Sequence, residues 1–147
     1  MTNRVEFTIH GQPVGKGRPR FRRLPTGFIM AYTPAKTAHY EQRVRSIALL
    51  AMEGSAAMGG PVSIRVEINM EVPKSWSKKK RADSYSGKIF PTKRPDIDNI
   101  AKTILDGLNG VLFFDDSRIT DLIVTKRFSA IPCVKVIASQ IEGVMPA

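Results

Sequence analysis

The sequence predicts a single α+β domain, a mixed sheet backed by two main helices, spanning residues 1–147. Three observations predict it. Apolar and polar residues alternate with period two over 4–10 and 62–72. Apolar residues recur at spacings of three and four over 34–52 and 96–109. The resulting order β, (β), α, β, α, β, β fits a sheet covered by helices. A chain of 147 residues suits one domain with a real core.

Residues 4–10 alternate around Val5, Phe7 and Ile9, a strand with one face buried. Gly11, Gln12 and Pro13 end it. A basic loop follows over 15–23, and 28–32 reads as a short strand. Thr33 and Pro34 form a helix start, with Thr33 as N-cap and Pro34 in the first helical position. Tyr40, Val44, Ile47, Ala48 and Ala51 give that helix an apolar face to about Met52. Small residues and glycines over 53–60 make a loop. The clearest strand is 62–72, with Val62, Ile64, Val66, Ile68, Met70 and Val72 on one face. Pro73 closes it. Residues 74–94 are polar and basic, with a short helix from Ser75 to about Asp83. The best helix is 96–109, with Asn109 and Gly110 ending it in the left-handed conformation. Strands at 119–128 and 134–141 complete the chain, divided by a turn near Ala130 and Pro132.

Charge narrows the function. Lys and Arg total 23 against 13 acidic residues, a net charge of +10 and a pI near 10.1. A small domain this basic meets a polyanion, with nucleic acid ahead of anionic membrane. The single cysteine, Cys133, allows no internal disulfide and is expected as a small buried residue. Residues 1–11 lack the apolar run of a signal peptide, and no stretch approaches the roughly 18 apolar residues of a membrane span. The expectation is a soluble, cytoplasmic protein with no membrane contact.

Against this cationic background, six of the seven aspartates fall between Asp96 and Asp121. Carboxylates packed together repel one another unless a cation or water screens them. Ile97, Ile100, Ala101, Ile104, Leu105 and Leu108 form one helical stripe, and Asp98, Lys102 and Asp106 stack along its flank. The return through Val111 to Phe114 can carry Asp115 and Asp116 back toward the helix N-terminus. Oxygen ligands without histidine or cysteine suit Mg²⁺ or Mn²⁺ rather than Zn²⁺. His10 and His39 have no ligand spacing and read as structural. Spacing alone leaves a bland alternative open: aspartates as N-caps and turns, with Asp98 and Lys102 as an ordinary ion pair.

Basic residues cluster in two segments. The first holds Lys16, Arg18, Arg20, Arg22 and Arg23. The second holds Lys74, Lys78, Lys79, Lys80, Arg81, Lys88, Lys93 and Arg94, interleaved with Trp76, Tyr85 and Phe90. Cations neutralise phosphates, and aromatics stack on bases or wedge at a junction. Trp76 has an equally good claim as a core anchor.

The blocks 11–20, 32–34 with Tyr40 and Glu41, 73–76, 94–102, 105–110 and 114–117 together resemble the RusA family of Holliday junction resolvases. They occur in order and span most of the chain. The resemblance implies a homodimer that binds a four-way DNA junction and nicks two opposed strands, with Mg²⁺ as cofactor (Mn²⁺ may substitute). It implies that Asp96, Asp98 and Asp116 are metal ligands and catalytic, that Asp115 joins the metal set as a supporting acid, and that Lys102 is the family's essential lysine. Lys16, Arg18, Arg20, Lys74, Trp76, Lys78, Lys79, Lys80 and Arg94 are the expected DNA contacts.

Overall fold

The computed structural model describes residues 3–142. Its elements are β1 (Arg4–His10), β2 (Arg20–Arg23), β3 (Ile29–Tyr32), α1 (Ala35–Met52), β4 (Val62–Glu71), α2 (Lys78–Tyr85), α3 (Ile97–Leu108), β5 (Ile119–Ser129) and β6 (Cys133–Gln140). The main sheet runs β1-β6-β4-β5, and β2 and β3 form a separate two-stranded sheet. β6 lies antiparallel to both β1 and β4, while β5 joins β4 in parallel. A parallel pair needs a long crossover, and the segment carrying α2 and α3 supplies it. The mixed α+β class is as predicted, with a third, short helix beside the two main ones.

Alternation sets the core. Val62, Ile64, Val66, Ile68 and Met70 of β4 are buried on one face, together with Val134, Val136 and Ala138 of β6. α1 and α3 cover that face, packing on each other and on β1 and β5 respectively. α3 contributes Ile100, Ile104 and Leu108, and α1 contributes Tyr40, Val44 and Ala48. The helices cross closely at Gly107, where a Cβ would stand 2.9 Å from the Glu41 carbonyl oxygen and from Val44. Any larger residue there would push the two helices apart, which accounts for a glycine inside the most apolar helix of the chain. Tyr40 is buried with no hydrogen-bond partner for its hydroxyl, and burial pushes its pKa up to about 12. Leaving a buried hydroxyl unpaired costs about 1–3 kcal/mol. Tyr40→Phe is therefore expected to raise the melting temperature by a few degrees; a lower value would show that the hydroxyl has a bound water.

Five details differ from the sequence expectation. Residues 20–23 are not loop but strand β2, paired with β3 from Arg20↔Tyr32 to Arg23↔Ile29. Pro34, not Thr33, is the N-cap of α1; it gives no side-chain bond, but its carbonyl accepts from Ala38 N at 3.0 Å. α2 begins at Lys78 rather than Ser75, because the Ser77 hydroxyl accepts from Lys80 N and so fixes the cap there. Asn109 is extended (φ −62°, ψ 127°), and the positive φ falls on Gly110 alone. Cys133 is half-buried, its sulfur accepting from Asn69 Nδ2 at 3.5 Å.

Candidate active site

α3 begins where the peptide between Arg94 and Pro95 is cis. Asp96 occupies the N-cap, but its side chain makes no capping hydrogen bond. Its carboxylate is therefore free for another task. Asp98, in the first turn, is exposed and makes no ion pair or side-chain hydrogen bond among the described residues. The Asp98–Lys102 ion pair that spacing allowed is absent among them. Helical spacing places Lys102 one turn below Asp98, also exposed.

Asp115 and Asp116 reach the site through a pinned loop. Met58 and Phe113 form a one-residue bridge, with Met58 N donating to Leu112 O at 2.9 Å and Phe114 N to Met58 O at 3.1 Å. Arg118 donates to the Gly59 carbonyl at 2.6 Å. Phe113 is fully buried, so the loop has an apolar anchor as well. A short 3₁₀ turn, Asp116–Arg118, then leads into β5. Asp115 caps that turn, its carboxylate accepting from Ser117 N at 3.1 Å. Bonding to Ser117 holds this carboxyl below the usual carboxylate range. Asp115 thus follows the cap-and-turn alternative, whereas Asp116 points elsewhere.

Asp98, Lys102 and Asp116 line one cleft of about 490 Å³ between α3 and β5. Asp106 joins them, and Ile97, Ala101, Leu105, Leu122 and Val124 form its apolar walls. Asp96 lines an adjoining cleft of about 380 Å³ with Lys93, Lys126 and Arg127. Ile97 and Val124 border both. The helix start therefore splits the predicted carboxylates between two neighbouring clefts. Among the described residues no three acidic, histidine or cysteine side chains converge closely enough to hold a metal ion by themselves. Of the three carboxylates lining the first cleft, Asp106 is paired with Lys16, and the other two, Asp98 and Asp116, still match the chemistry of Mg²⁺, which takes one or two protein carboxylates and completes its shell with water and substrate phosphate. His10 and His39 are exposed on β1 and α1 and line neither cleft.

Two lysines that hold the site together were assigned otherwise or missed. Lys126 lies on the helix-facing side of β5, in register with Ile68. Its ammonium donates to the carbonyls of Lys93 and Pro95, both at 2.7 Å, and ties the start of α3 to the sheet. The signal was a lysine within the otherwise apolar series Leu122, Val124, Phe128. Lys16, expected on DNA, is clasped between Glu41 of α1 and Asp106 of α3, the latter at 3.0 Å. Burial, the largest single influence, works to lower its pKa, but the two carboxylates together raise it above the ordinary lysine value. Its backbone N–H also donates to the Asn99 carbonyl at 3.0 Å.

Of the second basic segment, Lys74, Lys78, Lys79 and Arg94 are exposed. Trp76 is half-buried, edge-on to Phe128 with ring centroids 5.2 Å apart, and Lys80 lies over its ring at 4.0 Å. Arg81 is occupied, donating to the carbonyls of Pro73, Lys74 and Trp76. Trp76 therefore anchors α2 to β5 while the lysines around it face solvent. No helix is long and apolar enough to cross a membrane among the described residues.

Over 143 residues the chain is 37% identical to the uncharacterised protein YqaN of Bacillus subtilis (strain 168), covering 95% of this chain and 98% of that one. Residues 10–138 match the model of the endodeoxyribonuclease RusA family. That match takes in both clefts, the carboxylate helix and the pinned aspartate loop, and the chain belongs to the RusA endodeoxyribonuclease family.

Proposed function

We propose that the protein is a Mg²⁺-dependent endonuclease (Mn²⁺ substituting) that resolves four-way DNA junctions by paired symmetric nicks, acting as a homodimer in DNA recombination and repair. The observation that carries this proposal is the cleft shared by Asp98, Lys102 and Asp116, whose acids stand in a strongly basic protein of a nuclease family. Asp98 and Asp116 would hold the ion with the scissile phosphate, and Asp96 would complete the set from the adjoining cleft. When bound, the ion supplies an activated water and offsets charge at the reacting phosphate. Lys102 places its ammonium in the same cleft to balance charge developing on the leaving oxygen. Asp115 supports the loop that presents Asp116. Exposed Arg18, Arg20, Lys74, Lys78, Lys79 and Arg94 would neutralise the flanking phosphates.

Two opposed nicks need two sites, and a two-fold dimer meets a four-way junction with matching symmetry. The test is a labelled four-way junction incubated with the protein in Mg²⁺ and in EDTA. Paired, metal-dependent nicks across the branch point are expected. Tight binding without nicks under any divalent ion would leave a DNA-binding module. Nicking of flaps or forks in preference to four-way junctions would assign another branched substrate. Sedimentation as a strict monomer at micromolar concentration would remove the paired-nick model. Lys102→Ala is expected to slow single-turnover cleavage about 100-fold or more with little change in junction affinity; equal losses in both would make Lys102 a phosphate contact only.

A further inference from the structure

Among the described residues, the β2–β3 hairpin packs its strands chiefly on each other and leaves both faces open. All eight residues of its two strands are exposed. Phe21 is 70% exposed and Phe28, at the turn, 73%. The hairpin is held by its own ladder and by a turn in which Leu24 N donates to Phe28 O at 2.7 Å. A lone two-stranded hairpin is marginal in water, so this one needs either a firm base or something to lie against.

Its base is firm. Gly15 and Gly17 let the irregular segment that precedes β2 lie flat on the starts of both long helices. A Cβ on Gly15 would stand 2.8 Å from Pro95 Cβ, and one on Gly17 would stand 2.9 Å from Pro34 Cγ. Gly17 N donates to Thr37 Oγ1 at 3.0 Å. Together with the Lys16 clasp, these contacts fix the hairpin root to the helix start that carries Asp96 and Asp98.

Charge says what covers the rest. No Asp or Glu occurs from Gly11 to Tyr40, while Lys16, Arg18, Arg20, Arg22, Arg23 and Lys36 do. The guanidinium groups of Arg18, Arg20, Arg22 and Arg23 make no ion pair or hydrogen bond among the described residues. A second copy of the same ribbon would bring like charges together. A polyanion with apolar faces between its charges fits both features. A two-stranded ribbon also fits a DNA groove.

Resting on the DNA-nuclease proposal above, we propose that the β2–β3 hairpin is a branch-point wedge. Phe21 and Phe28 enter base steps at the crossover, and the ribbon's arginines hold the adjacent phosphates. Inserting an apolar side chain requires unstacking, which is least costly where stacking is already interrupted. The rings therefore recognise branched structure, and the arginines bind any duplex. Because the root is clamped to α3, seating the wedge sets which phosphate reaches the Asp98–Asp116 cleft.

The test compares the wild-type protein with Phe21→Ser/Phe28→Ser and with Arg20→Ala/Arg22→Ala. Both rings are largely exposed, so their loss leaves the core intact, and a thermal melt checks this. Affinities for a four-way junction and a linear duplex are measured in EDTA over a salt series, with 2-aminopurine beside the branch point. The ring variant should lose about tenfold or more in junction affinity, lose the 2-aminopurine fluorescence rise, and keep its duplex affinity. The arginine variant should weaken both substrates and lower the salt slope by about two. A wild-type preference for the junction that survives intact in the ring variant overturns the wedge alone. Equal affinity of the wild type for both substrates overturns the junction-resolving proposal with it. A ring variant that turns monomeric in sedimentation would reassign the hairpin to a subunit contact and overturn the wedge.

Discussion

Asp98→Asn is expected to abolish cleavage of a four-way junction while leaving junction affinity in EDTA within about twofold of wild type. The side chain is exposed and bonded to nothing among the described residues, so the fold does not depend on its charge. Asparagine keeps its shape and one oxygen but removes the negative charge that a hard dication requires. Loss of a residue that merely supports a metal ligand costs about 10- to 100-fold. Loss of a proposed ligand should therefore exceed about 100-fold in single-turnover rate. Phosphate repulsion also falls when a carboxylate leaves the cleft, so binding, if it moves, should tighten. Cleavage by Asp98→Asn at the wild-type rate would take Asp98 out of the site and return it to the surface of an ordinary helix.

The same residue shows how far the sequence can be read. The period of 3.6 in α3 was legible because Ile100, Ile104 and Leu108 face a core built almost wholly of apolar side chains. That stripe fixed the flank on which Asp98 and Lys102 stand. The strands β4 and β6 were legible for the equivalent reason at period two. Of the β2–β3 hairpin only the second strand was legible, in the run 28–32; β2 was not, because alternation is a record of burial and this hairpin buries neither face. Arginines with one phenylalanine among them look like a loop until pairing is seen. Strand order was also hidden: nothing local to Ile119–Ser129 says that it pairs in parallel with β4. Among the aspartates, identity and spacing could not separate ligand candidates from caps. Asp115 and Asp116 are neighbours in sequence, yet one turns onto Ser117 N and the other lines the cleft. Asp96 holds an N-cap position but leaves the capping bond unmade. Those differences live in backbone geometry two or three residues away, beyond what residue type records.

Lys16→Ala is expected to destabilise the fold by about 3 kcal/mol. For a chain of 147 residues, that lowers the melting temperature by roughly 6–12 °C. The Lys16 side chain is only 21% exposed, and its ammonium separates the side chains of Glu41, at 23%, and Asp106, at 36%. Removing it leaves two carboxylates facing each other without a cation, and repulsion adds to the cost of their partial burial. A surface lysine that simply met phosphate would show the opposite profile: an unchanged melt, weaker DNA binding and a salt slope lower by about one. Thermal denaturation and a salt series on the same variant therefore separate the two roles. Lys16→Met combined with Glu41→Gln and Asp106→Asn removes the stranded charges and should recover most of the lost stability. Cleavage should recover only in part, because the loop would regain its packing without the ionic clasp between α1 and α3. An unchanged melting temperature in Lys16→Ala, with the salt slope reduced, would return Lys16 to the DNA-binding surface. It would also show that the backbone bond from Lys16 to Asn99 and the close fit of Gly15 on Pro95 suffice to root the hairpin.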